Sequence, residues 1–305
     1  MTRVRSRAER LLQTATEQLE AAGVPSPGVD AELLLSHVMG VPRGLLRSGA
    51  HPQEMQRRTY LEMVQARARR VPLQHITGTA AFRYVDLEVG PGVFVPRPET
   101  ELLAGWAIDQ ALLFSAQGPE PLPGVVSARS PEPPPGQREQ PVVVDLCTGS
   151  GAIALSLVHE VPGARVHAVE LDEKAHGWAE QNLIGTGVDL RLGDAFDAFE
   201  DLDGTVDVVV CNPPYIPLEA WESVAPEARD HDPSLALWSG DDGLDAMRRL
   251  EKAAWRLLRP GGVVAAEHAD AQGTSAPAVF AARWSEVRDH TDLADRPRFV
   301  TATRP

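Results

Sequence analysis

The sequence has little of what secreted, membrane or metal-centred proteins depend on. Its 305 residues include only two cysteines, Cys147 and Cys211, so neither a disulfide framework nor a cysteine zinc site can be built. The nine histidines are scattered without an HxxxH pair, and no metal site is expected. No apolar run approaches the ~20 residues that a bilayer-spanning helix needs. The opening stretch MTRVRSRAERLLQ is charged, without the apolar run and small-residue cleavage site of a signal peptide. A cytoplasmic protein with no membrane association is the expectation.

Positive charge is scarce beyond the first 70 residues. Those residues carry 11 Lys+Arg against 7 Asp+Glu, and the remainder 18 against 36. An acidic body disfavours extended contact with a phosphate backbone, which relies on clustered Lys and Arg. No stable nucleic-acid binding is expected. The basic N-terminal part reads as a solvated helix face, or as a surface for an acidic protein or a ribonucleoprotein.

Three segments in the first 70 residues have helical texture. RAERLLQTATEQLEAAG puts Leu11, Leu12, Ala15 and Leu19 on one face, with Gly23 as a stop. GVDAELLLSHVMG lies between Gly28 and Gly40, and PQEMQRRTYLEMVQARARR starts at Pro52 and ends in arginines that suit a helix C-terminus. These make a small helical domain over 1–75. In FRYVDLEVGPGVFV, Val85, Leu87 and Val89 alternate with acids before the turn signal Gly90-Pro91-Gly92. This predicts a connecting β-hairpin within 76–97. A helix then starts near Pro98. Residues 115–140 hold seven prolines and three glycines, a composition expected to form a disordered insertion. From 141 to the end, strand and helix signals alternate, which predicts a parallel sheet covered on both faces. WSEVRDHTDLADRPRFVTATR closes the chain as an antiparallel pair. Residues 98–305 are thus the expected catalytic domain.

Two loops carry chemistry. VVVDLCTGSGAIALSL sets Gly149 and Gly151 between a strand and a helix, where backbone N–H groups face a nucleotide-like ligand. Glu170 ends the next strand about 20 residues on, where an acid accepts hydrogen bonds from ribose hydroxyls. Gly149-x-Gly151-x-x-Ala154 also satisfies the dinucleotide fingerprint, so the loop alone leaves open which adenosine ligand it takes.

The second loop narrows the choice. VVVC runs into Asn212-Pro213-Pro214-Tyr215. A planar NH2 group, in an amide or an adenine, is a poor nucleophile because its lone pair is delocalised. Two oxygens that accept its two N–H hydrogens aim the nitrogen and stabilise the charge developing on it. The Asn212 carboxamide and the Pro213 carbonyl supply two such oxygens. The prolines fix φ and remove donors, and Tyr215 can stack on the flat group. The adenosine ligand that brings a group to such a nitrogen is S-adenosylmethionine.

At this point the sequence resembles the release factor glutamine methyltransferases, the PrmC/HemK family. The resemblance rests on Asn212–Tyr215 together with QHITGTAAF at 74–82, VGPGVFVPRPETE at 89–101, DLCTGSGAIAL at 145–155 and HDPSLALWSGDDGLD at 231–245. It implies an α/β fold, a Rossmann-like class I S-adenosylmethionine-dependent methyltransferase sheet with an N-terminal helical domain. It also implies methyl transfer to the glutamine amide of the Gly-Gly-Gln motif in class I peptide-chain release factors, with the helical domain recognising the partner. By position, Cys147, Thr148, Gly149, Ser150 and Gly151 would hold the methionine part of the cofactor. Glu170 would bind ribose, Asp194 and Ala195 would border adenine, and Asn212, Pro213, Pro214 and Tyr215 would clamp the glutamine. Arg97 and Asn212 would also touch the cofactor, Arg97 lining the cleft, with a surface position at the helix start as its other reading. The rival activity is methylation of an adenine amino group in DNA or RNA, which the same tetrapeptide suits.

The chain departs from the family at two places. Cys147 stands where the family has its first loop glycine, which predicts a negative φ there. Ala195 replaces a bulky aromatic beside adenine, with Phe196 next to it. The two cysteines each end a strand and would be neighbours if those strands pair; both are expected to be reduced and buried.

Overall fold

The computed structural model describes residues 7–46, 51–115 and 140–305. Apart from its two end residues, the proline-rich insertion therefore lies outside the described residues. In chain order the elements are helices α1 (Arg7–Ala21), α2 (Pro27–Met39), α3 (Glu54–Ala68) and α4 (Leu73–Thr77), then strands β1 (Thr79–Phe82) and β2 (Val85–Glu88). Next come α5 (Thr100–Phe114), β3 (Val142–Leu146), α6 (Ala152–Glu160), β4 (Arg165–Glu170), α7 (Glu173–Leu183), β5 (Asp189–Leu192) and β6 (Val206–Cys211). The chain ends with α8 (Pro226–His231), α9 (Asp245–Leu257), β7 (Leu258–Glu267), α10 (Ser275–Phe280), β8 (Ser285–Thr291) and β9 (Pro297–Thr303). Among the described residues no helix is long and apolar enough to cross a membrane.

The chain forms two compact units. The first comprises the described residues up to Thr79 with Val89–Pro91 and Val224–Asp232. Ala8, Leu12, Ala15 and Leu19 recur every three or four positions on α1 and are all buried, the spacing that one helix face requires. They pack with Leu34, Leu35, Tyr60 and Val64 in one apolar cluster. Gly40 caps α2 in the left-handed conformation at φ 64°, a conformation that costs glycine nothing.

A division at 75 and 97 overlooks α8, which comes from far along the chain. An ion-pair knot explains its place. Buried Arg67 donates to Asp30 Oδ2 at 2.7 Å and to Glu227 Oε1 at 2.8 Å. Arg70 adds two bonds to the same Glu227 carboxylate, at 2.7 and 2.6 Å. Burial alone would raise the Glu227 carboxyl, but the hydrogen bonds from Arg70 and Arg67 outweigh it and hold it at about 2.

The second unit holds a seven-stranded sheet in the order β5-β4-β3-β6-β7-β9-β8. The first five strands are parallel, and β9 runs antiparallel between β7 and β8. All five residues of β3 and all six of β6 are buried. Helices on both faces leave neither strand a polar side, hence their near-continuous apolar composition. The expected fold class is what the structure contains. Its chain reverses direction across the sheet between β3 and β6, and doubly wound sheets bind ligands outside the carboxyl ends of strands at such a point.

The hairpin lies within the expected 76–97, but its turn is upstream of the expected one. β2 pairs upstream with β1, not with residues beyond Gly90-Pro91-Gly92. The turn is Arg83-Tyr84, with Arg83 at φ 51°, a conformation usually left to glycine. The Arg83 guanidinium is held by both oxygens of Glu160 at 2.7 Å and by the Glu101 carbonyl at 3.1 Å. This tertiary anchor replaces the glycine signal that the sequence lacks.

The ion-pair knot is testable. Glu227 is depressed below its unfolded value of 4.5, so its stabilisation is present above pH 4.5 and is lost as pH falls toward 2. Glu227→Gln should lower the thermal midpoint at pH 7. It should also flatten the dependence of that midpoint on pH between about 4.5 and 2, as followed by circular dichroism.

Candidate active site

Four loops meet at the carboxyl edge of the sheet, and backbone bonds tie neighbouring loops together. Thr148 N donates to Val169 O at 3.0 Å, and Gly193 N donates to Glu170 O at 2.8 Å. Leu146 pairs with Cys211 across β3 and β6, so the glycine loop and Asn212–Tyr215 leave the sheet side by side. The structure brings Cys147–Gly151, Glu170, Asp194-Ala195 and Asn212–Tyr215 to this one edge.

The glycine loop bends tightly and its own amides are engaged, Gly149 N by Glu170 Oε2 and Gly151 N by the Thr148 carbonyl. Gly149 and Gly151 sit at φ 59° and 84°. A Cβ on Gly149 would meet nothing within 4 Å, whereas one on Gly151 would press on Leu183 at 3.1 Å. Cys147 corrects an expectation. Its φ is +59°, so the position keeps the left-handed turn of a glycine and carries strain of roughly 1 kcal/mol. The turn is what lets Thr148 N reach Val169 O. Cys147 and buried Cys211 are both free thiols. Burial pushes the Cys211 thiol up, and its neighbour Cys147 adds to the shift.

Acidic groups surround this loop. Asp145 accepts from the Thr148 hydroxyl at 2.5 Å and from Ala154 N at 3.1 Å, while its buried Oδ1 has no partner. Burial raises its carboxyl to about 7 against the pull of those two bonds. Glu170 accepts from Gly149 N, Leu171 N and Asp172 N at 2.8–2.9 Å; burial raises it as well. Oε1 takes two of these bonds and Oε2 one, so Oε2 keeps a further lone pair for a ligand hydroxyl. Asp194 accepts from Phe196 N at 3.0 Å and from Arg249 at 2.8 Å, and that arginine lies 4.5 Å over the Phe196 ring. The Phe196 ring thus stands, stacked, beside the small, buried Ala195.

These residues fit S-adenosylmethionine. An orphaned buried oxygen on Asp145, the strand-end carboxylate of Glu170 and a loop free of basic side chains suit a ligand that carries a sulfonium and an ammonium. They suit the diphosphate of a dinucleotide less well.

Beside the loop, Asn212 Nδ2 donates to Thr100 Oγ1 at 3.2 Å. Thr100 in turn donates to Glu267 Oε2 at 2.7 Å, and Tyr215 Oη donates to Glu267 Oε1 at 3.0 Å. Burial raises the Tyr215 hydroxyl and the Glu267 charge adds to this; Arg298 and Arg97 pull the other way. Arg97 lies 4.9 Å over the Phe94 ring. Gln272 donates to the carbonyls of Tyr215 and Asp242, both at 3.1 Å. A Cβ on Gly243 would lie 2.3 Å from the Tyr215 carbonyl. This explains the glycine in the Asp-Gly-Leu run: the Asn-Pro-Pro-Tyr loop rests directly on its backbone.

Sequence reasoning missed Thr100, Glu267, Gln272 and Gly243. For Glu267 a signal existed, an acid ending the apolar strand VVAAE as Asp145 and Glu170 interrupt or end theirs. For Gln272 there was none.

Two families match parts of the chain: the PrmC N-terminal domain over residues 10–78 and the methyltransferase small domain over residues 135–225. A release factor glutamine methyltransferase of Streptomyces coelicolor is 55% identical over 95% of this chain and 95% of its own. That of Mycolicibacterium smegmatis is 44% identical over 100% and 99%. A 4-amino-L-phenylalanine/4-methylamino-L-phenylalanine methyltransferase of Streptomyces pristinaespiralis is 40% identical over 97% and 95%.

Gly243→Ala should strain a positive-φ position and push the loop off its seat. The expected thermal midpoint is about 5 °C lower, with methyl transfer reduced in the protein that remains folded; a melt and an assay at 25 °C check both.

Proposed function

Because the chain belongs to the release factor glutamine methyltransferase family, we propose that it methylates the side-chain amide nitrogen of the Gly-Gly-Gln glutamine in class I peptide-chain release factors. S-adenosylmethionine is the methyl donor, and when bound it supplies an electrophilic methyl carbon on a sulfonium. The observation that carries the assignment of the site is the orientation of Asn212. Its NH2 end is engaged by Thr100, so Oδ1 is the end left to accept from a substrate.

Asn212 Oδ1 and the Pro213 carbonyl accept the two N–H hydrogens of the glutamine amide. This points its nitrogen lone pair toward the electrophile and stabilises positive charge as it develops on nitrogen. Tyr215 covers the amide plane, its hydroxyl anchored on Glu267. No general base is required, because the methylated, protonated amide is acidic enough to release its proton to water. The Cys147–Gly151 loop takes the methionine part of the cofactor, Glu170 the ribose, and Asp194-Ala195 with Phe196 the adenine edge. Asp145 Oδ1 is an acceptor of the kind an ammonium group calls for. Arg97 lines the substrate side. The helical unit is assigned to partner recognition, and the cytoplasm is where its substrates are made and used.

The S. pristinaespiralis relative is named for an arylamine substrate, another NH2 conjugated to a flat group, so 4-amino-L-phenylalanine belongs in the substrate test. Adenine in nucleic acid is disfavoured by the excess of 36 acidic over 18 basic residues beyond position 70, because a flipped base needs a basic surface to hold its strand.

The test is incubation with S-adenosylmethionine and a class I release factor, with peptide mass spectrometry to locate the methyl group. One methyl on the Gly-Gly-Gln glutamine is expected; a methyl only on 4-amino-L-phenylalanine or on nucleic acid overturns the reading. Asn212→Ala should lower kcat by about 10²–10³ while calorimetric affinity for S-adenosylmethionine stays near wild type.

A further inference from the structure

We propose that Glu267 is a positioning residue: through the Thr100 hydroxyl it determines which end of the Asn212 carboxamide faces the substrate, and through Tyr215 it holds the stacking ring. The inference rests on the clamp reading given above.

The argument is one of donors and acceptors. Glu267 and Thr100 are 1% and 5% exposed, so water does not compete for their bonds. An ionised carboxylate can only accept. Glu267 therefore commits the single Thr100 hydroxyl hydrogen to itself, at 2.7 Å. The Thr100 oxygen then faces Asn212 with lone pairs alone. Of the two ends of a carboxamide, only NH2 can meet it, and the observed contact is Nδ2 to Oγ1 at 3.2 Å. A flipped Asn212 would set its carbonyl against the Thr100 lone pairs and turn its own NH2 toward the substrate NH2, donor against donor. Without Glu267 nothing prevents the flip, because the hydroxyl could then donate to Oδ1. The neutral side chains Thr100 and Asn212 cannot choose between the two orientations by themselves.

The placement follows from the sheet. Cys211 pairs with Ala266 across β6 and β7, so Asn212 and Glu267 are the next residues along neighbouring parallel strands. Thr100 starts α5, whose own packing lies on β6 and β7. Burial pushes the Glu267 carboxyl up to about 7; Thr100, Tyr215 and Arg298 hold it down, and Glu99 raises it. Assays at pH 8.5 therefore keep it ionised.

The test uses the full chain with a class I release factor as substrate. Thr100→Val and Glu267→Met are each expected to lower kcat about 30-fold. Each should leave calorimetric affinity for S-adenosylmethionine within about twofold, because neither residue touches the cofactor loop. Thr100→Ser keeps the hydroxyl and is expected to retain kcat within about threefold. The double variant should be no slower than the slower single variant, since both act on one orientation. A folded Thr100→Val that keeps wild-type kcat overturns the proposal, as do effects that multiply in the double variant. Should Glu267→Met fail to fold, Thr100→Val decides alone. Asn212→Ala separates the two readings: if it stays active the clamp itself is wrong, and if it is inactive while Thr100→Val is active only this inference falls.

Discussion

The parallel pairing of β3 with β6 is the constraint on which the site depends. These two strands flank the point where the chain changes direction across the sheet, and their carboxyl ends open into the two loops that carry chemistry. The pairing of Leu146 with Cys211 puts the glycine loop next to the Asn-Pro-Pro-Tyr loop. One loop suits a nucleoside-bearing cofactor and the other an NH2 group, so reaction partners held by the two meet without any rearrangement of the sheet. The left-handed backbone of Cys147 belongs to the same constraint, because the chain must turn within one residue of the strand end. A thiol is tolerated where glycine would be relaxed, at a modest cost in strain.

Buried carboxylates do the electrostatic work. Asp145, Glu170 and Glu267 are raised by burial, each against hydrogen bonds that favour the ionised form. Among the described residues none of the three carboxylates is paired directly with a cation. This is an unusual concentration of uncompensated acid for an interior, and it suits a cationic cofactor and a transition state in which positive charge moves from sulfur toward nitrogen. Catalysis of this kind relies on oriented acceptors rather than on a titrating base. That is consistent with a cleft whose central groups are a carboxamide, two prolines and hydroxyls locked onto Glu267.

The helical unit is organised by a different principle. Its apolar core is small, and a knot of Asp30, Arg67, Arg70 and Glu227 gathers a distant helix into it. Bidentate arginine contacts of this sort specify geometry more than they add net stability. They hold a segment that follows the Asn-Pro-Pro-Tyr loop in sequence within the helical unit, to which it belongs by packing.

The amino-acid sequence by itself determined the two chemical loops, the alternation that builds the sheet, the amphipathic helices and the family. Each is written in short-range terms: glycines at a strand end, prolines after an asparagine, apolar spacing of two or of three and four. Three features were decided only by tertiary structure. The hairpin turn at Arg83-Tyr84 holds its positive φ through Glu160, 77 residues away. Helix α8 joins the helical unit through charges some 160 residues apart. Thr100, Asn212 and Glu267 become one hydrogen-bonded chain across separations of 112 and 167 residues. Local pattern reports what a segment prefers, whereas the direction of a hydroxyl hydrogen or the sign of a φ angle is set by whichever distant group the fold places against it.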